Sequence, residues 1–208
     1  PLRLEGTLDE RALRRTFDEL VRRHESLRTT FRAEGGQPVQ KIHPATFVPV
    51  QKVDLSRIDE EDLRMSEALR LANEEARRPF DLSRGPLLRT LLIKLRPQDH
   101  ILLLHVHHIV SDGWSMGVFV RELTSLYEAF RKGLPSPLPE LAVQYADYSV
   151  WQRSWLRGET LKAQVGWWKQ QLEGAPYALD VPTDKPRPAV FTHKGAVLDL
   201  VIPLKLSQ

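Results

Sequence analysis

Two apolar runs, "GPLLRTLLIKL" (85–95) and "DHILLLHVHHIV" (99–110), flank the turn "RPQD" and constrain the fold more than any other feature of the chain. A half-exposed strand alternates apolar and polar residues. These runs carry apolar residues on both faces in places, so they are expected to be neighbouring strands in the middle of a sheet, buried on both sides.

Helices must supply the cover, and the pattern provides them. Asp9 is placed to cap a helix in which Leu13, Phe17, Leu20 and Val21 share one face, ending near His24. "DEEDLRMSEALRLANEEARR" predicts a second helix, with acids in its first turn and Pro79 beyond its end. "SMGVFVRELTSLYEAFRKG" predicts a third, with Met116, Phe119, Val120, Leu123, Leu126, Tyr127 and Phe130 as the buried stripe and Gly133 as its C-terminal cap. "LRLEG" and "FVPVQKVDL" read as strands, the second pushed toward an edge by Pro49. "SLRTTFRAEGGQPVQKIH" reads as a hairpin turning at Gly35-Gly36, with Val39 and Ile42 on one side. "LPSPLPEL" is a connector inside one domain. An aromatic-rich helical segment follows from Val143 to Gly174, broken near Gly158; Tyr145, Tyr148 and Trp151 share a face expected to pack in the core. "DVPTDKPRPAVFTHKG" is a proline-stiffened arm, and "AVLDLVIPL" a last strand. The fold class is α/β, an open mixed sheet covered by helices.

Bulk properties exclude several functions. With no cysteine, disulfides and thiolate metal sites are ruled out, and the composition suits a reducing cytoplasm. No apolar run reaches the ~20 residues of a membrane span. The net charge is only +3, and basic and acidic residues alternate as on solvated helix faces, so neither nucleic acid nor membrane is an expected partner. The chain opens at Pro1 without methionine and closes inside a predicted strand, so it is expected to be a segment of a longer polypeptide.

The chemistry concentrates in "HVHHIVSDGWS", residues 105–115. If the strand stays regular, His107 and His108 point to opposite faces, one toward a packed layer and one toward an opening. Asp112, Gly113 and Trp114 sit where strand gives way to helix, and unpaired N–H groups and the positive end of the helix dipole gather there. A neutral imidazole beside them suits acid–base or electrostatic work. Two other readings stay open. The histidines can be satisfied core groups, and His105 with His107 and Asp112 can chelate a metal, although His24, His43, His100 and His193 add no paired spacing. No phosphate loop or serine elbow occurs.

"HHIVSDGWS", His107 to Ser115, resembles the H-H-x-x-x-D-G signature of condensation domains in nonribosomal peptide synthetases. "RHESLRTTF" (Arg23 to Phe31) and "YADYSVW" (Tyr145 to Trp151) resemble two further motifs of that family, in the family's order, and "VPTDKPRPAVFTHKG" resembles the segment after them. The resemblance implies a chloramphenicol acetyltransferase-like half. Residues 1–208 would be the N-terminal subdomain, meeting a C-terminal half outside this sequence to enclose a tunnel. It implies amide formation between an acyl or peptidyl thioester and an aminoacyl thioester. Both would be carried on phosphopantetheine arms of upstream and downstream carrier proteins, with an adenylation domain as neighbour. No cofactor or metal is expected in the domain itself. His108 is the implied catalytic residue, as base or as positioning group for the amine, and His107 is structural. Asp112 is implied to pair with Arg28, or failing that Arg23, while Trp114 and Ser115 line the substrate channel. The Gly113 N–H is expected to help hold the oxyanion. The "HHIVSDGWS" and "VPTDKPRPAV" segments look most like the class that takes an L-configured donor. The alternatives are a catalytically silent scaffold and a histidine metallohydrolase.

Overall fold

The computed structural model describes residues 1–177, 181–186, 188–190, 195, 198 and 200–206. It divides into two compact units, Pro1–Arg157 and Gly158–Gln208.

In the first unit the chain runs β1 (Leu2–Glu5), α1 (Glu10–Arg23), β2 (Thr29–Glu34), β3 (Gln37–Ile42), β4 (Val50–Asp54), α2 (Glu61–Arg77), β5 (Leu88–Arg96), β6 (Asp99–Val106), α3 (Gly113–Arg131) and α4 (Tyr145–Trp155). The main sheet has the order β1-β6-β5-β4, so the two apolar runs are its central strands. β6 is antiparallel to both neighbours, and β4 lies parallel to β5, joined to it through α2 as a parallel pair requires. β4 begins after Pro49 and is an edge strand, as the proline predicts.

The double-sided burial follows from the pleat. Leu88, Leu92 and Leu102 face one way, into a core with Leu13, Phe17 and Leu20 of α1 and Phe119, Leu123, Leu126 and Phe130 of α3. Leu91, Ile93, Leu95 and Leu103 face the other way, against Ala68 and Leu55. Phe17, Leu102 and Leu126 are wholly buried, and each such side chain contributes roughly 1.5–3 kcal/mol. The Asp9 carboxylate accepts from the N–H groups of Arg11 and Ala12, starting α1, and the Asp9 N–H donates to the Tyr127 hydroxyl at 2.9 Å, which ties α1 to α3. Gly133, at φ +72°, closes α3 while Leu134 N–H reaches back to Ala129 C=O at 2.9 Å.

Four expectations change. Glu25–Arg28 is a turn of 3₁₀ helix, so the extended run begins only at Thr29. Val39 and Ile42 are an odd number of residues apart in β3, so they do not share a side. α3 starts two residues before Ser115, at Gly113, because Asp112 caps it. Tyr145, Tyr148 and Trp151 do share a face of α4, but they are exposed, not core. With Trp155 they form a ladder of ring contacts at 5.8, 5.6 and 5.5 Å.

In the second unit, α5 spans Gly158–Gln171, and Gly158 takes φ +52°, where the break was expected. The proline-rich arm and the last strand fall partly outside the described residues. The described residues of the latter, 198 and 200–203, form no strand, and a 3₁₀ turn, Leu204–Leu206, starts at its last residue. Among the described residues no helix is long and apolar enough to cross a membrane.

Candidate active site

β6 ends at Val106, one residue short of the histidine pair. His107 keeps one ladder-like bond, from its N–H to Leu87 C=O at 3.0 Å, and then the chain turns: Val110 N–H donates to His107 C=O at 3.0 Å. The His107 ring joins in, its Nδ1 accepting the Ile109 N–H at 3.0 Å. An accepting Nδ1 has no proton, so this neutral ring carries its proton on Nε2. His107 is partly buried and His108 exposed. They part company because one is bonded into a turn and the other rides on it, not because a strand alternates.

The turn delivers the chain to α3. Asp112 is its N-cap, with extended backbone; its carboxylate accepts the Ser115 N–H at 2.8 Å and the Ser115 hydroxyl, and its own N–H donates to Ser115 Oγ at 3.0 Å. The bond from the Ser115 hydroxyl, then that from the Ser115 backbone N–H, holds the Asp112 carboxyl below the usual carboxylate range. Gly113 is the first helical residue, where backbone N–H groups have no intrahelical acceptor. A Cβ built on Gly113 meets nothing within 4 Å, so the space beside it is open.

A cleft of about 790 Å³ opens here. His108 and Asp112 line it from the turn, Trp114, Ser115 and Phe119 from α3, Phe31 from the hairpin, Val143 from the segment before α4, and Tyr145 from the start of α4. Trp114 is 86% exposed. His108, Trp114 and Ser115 thus share one cavity with the face of Asp112, and His24 lines it too.

The expected ion pair is not made. Arg28 bonds to His43 C=O at 2.5 Å and to the Glu25 carboxylate at 3.3 Å. Arg23, with its side chain 2% exposed, meets Glu122 at 3.3 Å and Pro139 C=O at 2.8 Å. Asp112 is spent on its own helix start and lies exposed, so neither arginine needs it or reaches it. Glu122 is the residue that sequence reasoning missed. Its carboxylate also takes His24 Nε2 at 2.8 Å. Burial raises its pKa, but the bonds from His24 and Arg23 outweigh burial and leave it below the usual range. The signal was available, since Glu122 falls one residue from Leu123 and three from Phe119, inside the apolar stripe of α3.

The metal alternative loses its ligands. His105 faces the α2 side, near Glu75 and Arg89, whereas Asp112 caps α3, and among the described residues no group of three histidine or acid side chains converges.

The comparisons agree with this architecture. The chain is 50% identical over 201 residues to one of the linear gramicidin synthase proteins of Brevibacillus parabrevis, covering 97% of this chain and 3% of that one. It overlays the X-domain from teicoplanin biosynthesis with TM-score 0.78 at 37% identity, covering 90% of this chain and 41% of that one. It overlays the epimerization domain from the third module of tyrocidine synthetase B with TM-score 0.75 at 25% identity, covering 89% and 40%. The chain therefore spans about two fifths of the solved chains it matches and a few per cent of the synthase. The family model for the condensation domain matches residues 1–203, and the chain belongs to the condensation-domain family of nonribosomal peptide synthetases.

Proposed function

We propose that residues 1–208 form the N-terminal half of a peptide-bond-forming condensation domain, with His108 at its reaction centre. The observation that carries this reading is the position of His108: exposed, on a tightly bonded turn, facing the same cleft as the first residues of α3.

In the proposed reaction the amine of an acceptor aminoacyl thioester attacks the carbonyl carbon of a donor acyl thioester. The C–N bond forms as the carbonyl becomes an oxyanion, and collapse breaks the C–S bond. The nitrogen proton passes to His108 and the donor thiolate leaves, taking a proton to become thiol. A base positioned to take that proton typically supplies about 10²–10⁴-fold in rate. The Gly113 N–H, at the positive end of α3, suits the oxyanion, and the open space beside it admits a carbonyl. Gly113 does not take a positive φ, so its backbone alone gives no reason for glycine here. Trp114 and Ser115 line the substrate channel. Phosphopantetheine arms of two carrier proteins bring the thioesters, the remaining part of the domain supplies the opposite wall, and an adenylation domain is the neighbour in the synthetase. The donor we expect is L-configured.

A second reading has a specific basis: two of the solved structures this chain overlays bear other names, an X-domain and an epimerization domain. In it the half-domain is a silent scaffold. The deciding experiment assays the full-length protein with loaded donor and acceptor carriers, native against His108→Ala. Loss of about 10²–10⁴ in amide formation supports condensation, and native-level turnover by the variant overturns it.

A further inference from the structure

On the α2 side of His107, the guanidinium of Arg89 on β5 makes four hydrogen bonds. It pairs with the Glu75 carboxylate and donates to the carbonyls of Glu75, Arg78 and Pro79 at 3.1, 2.8 and 3.1 Å, closing the C-terminal end of α2. Its Cζ lies 3.8 Å over the ring of Phe80, the second residue beyond the helix cap. Arg89 thereby pins Phe80 from one face. Phe80 in turn stands edge-on to the His107 ring, with centroids 5.6 Å apart and planes at 87°. The orientation of that ring decides whether Nδ1 meets the Ile109 N–H, and that bond braces the turn carrying His108 beside the Val110 N–H to His107 C=O bond.

We infer that Phe80, held by Arg89, is a positioning residue for His108, acting through the orientation of the His107 ring. The kinetic part of this inference rests on the proposed role of His108; the structural part does not. Phe80 touches neither the cleft nor the reacting groups. A misplacement of about 1 Å at a reacting group costs roughly 10²-fold in rate, so a side chain that only sets an angle can matter to turnover.

The test uses the full-length protein with Phe80→Leu, which keeps apolar volume but removes the ring, and Phe80→Tyr, which keeps the ring. Amide exchange of Ile109 by NMR reads the turn, and carrier-loaded kinetics read the reaction. In Phe80→Leu, Ile109 exchange should rise about tenfold, and kcat should fall about 10–100-fold with KM for the carriers within about twofold. Phe80→Tyr should restore both. Native Ile109 exchange in Phe80→Leu overturns the inference, as does an unchanged kcat, a loss confined to KM, or a failure of the tyrosine to rescue. Faster exchange together with native turnover by His108→Ala overturns the role of His108 and the kinetic part with it. In that case the exchange result alone still ties Phe80 to the turn.

Discussion

Two regions hold charged groups near the cleft, and they are built in opposite ways. From Ile109 to Ser115 the bonds are local, Ile109 to the His107 ring and Ser115 to Asp112, and only the His107 N–H reaches a distant partner, the Leu87 carbonyl; Asp112 stays exposed. The cluster of Arg23, His24 and Glu122 is the reverse. It joins residues about a hundred positions apart and is largely buried. The first region can lose a partner and let water replace it. The second cannot, because an ion left alone in a core keeps its desolvation cost. The bonds of the signature are therefore thermodynamically replaceable, whereas those of Arg23 and Glu122, outside it, are costly to break from one side.

Each region can be perturbed on its own. The largest effect expected is on turnover: His108→Ala should lose about 10²–10⁴ in rate with its melting temperature within a degree or two of native, since the ring is exposed. Glu122→Ala should cost about 3–5 kcal/mol in chemical denaturation, because it strands the buried Arg23 charge. A cost below about 1 kcal/mol would mean the cluster is not what holds α1 to α3. Asp112→Ala should cost only about 0.5–2 kcal/mol, the value of a helix cap, and Asp112→Asn should recover most of it. A larger loss would restore the buried ion pair that the sequence suggested. The smallest effect belongs to the α4 ladder, where Trp151→Ala should move the stability of this chain by about 0.5 kcal/mol or less.

Titration separates the regions in another way. Burial holds His100 and His105 below the ordinary imidazole value of 6.5, Lys94 adding to the effect at His100. The unfolded chain then takes up these protons first. Their contribution to stability is full above that value and is lost as pH falls through it toward the folded values. Glu122 follows at lower pH: its contribution is present above the ordinary 4.5 and is lost as pH falls through its lower folded value. Denaturation midpoints should therefore begin to drop below about pH 6.5, and His105→Leu should flatten that first limb. An unchanged slope in the variant would show that His105 is not the source.

The central strands were legible because double-sided burial leaves its mark in the residues themselves, in Leu91 and Leu92 or Leu102 and Leu103 side by side. The helices were legible because a capping Asp9 and a 3.6-residue stripe are local. What escaped was set by distance in sequence or by one unusual bond. No spacing announces that Arg23 meets Glu122. β6 ends at Val106 and His107 enters a turn in which its ring takes a backbone N–H, so the regular alternation assumed for His107 and His108 did not hold. Asp112 was placed correctly at the strand–helix junction but given a distant partner, when its own helix start had already claimed it. The aromatic face of α4 was found by periodicity, which says that side chains share a side without saying what lies against it.

α3 is also a lever. From Gly113 to Arg131 it extends about 27 Å. A tilt of about 2° pivoting on its far end would carry the Gly113 amide about 1 Å, enough to spoil an alignment. The grip on that far end is Leu126 and Phe130 against α1, with the Arg15 guanidinium 4.0 Å over the Phe130 ring. Residues at the end of α3 remote from the cleft therefore aim the helix, and under the proposed function small repackings there would be read out in rate.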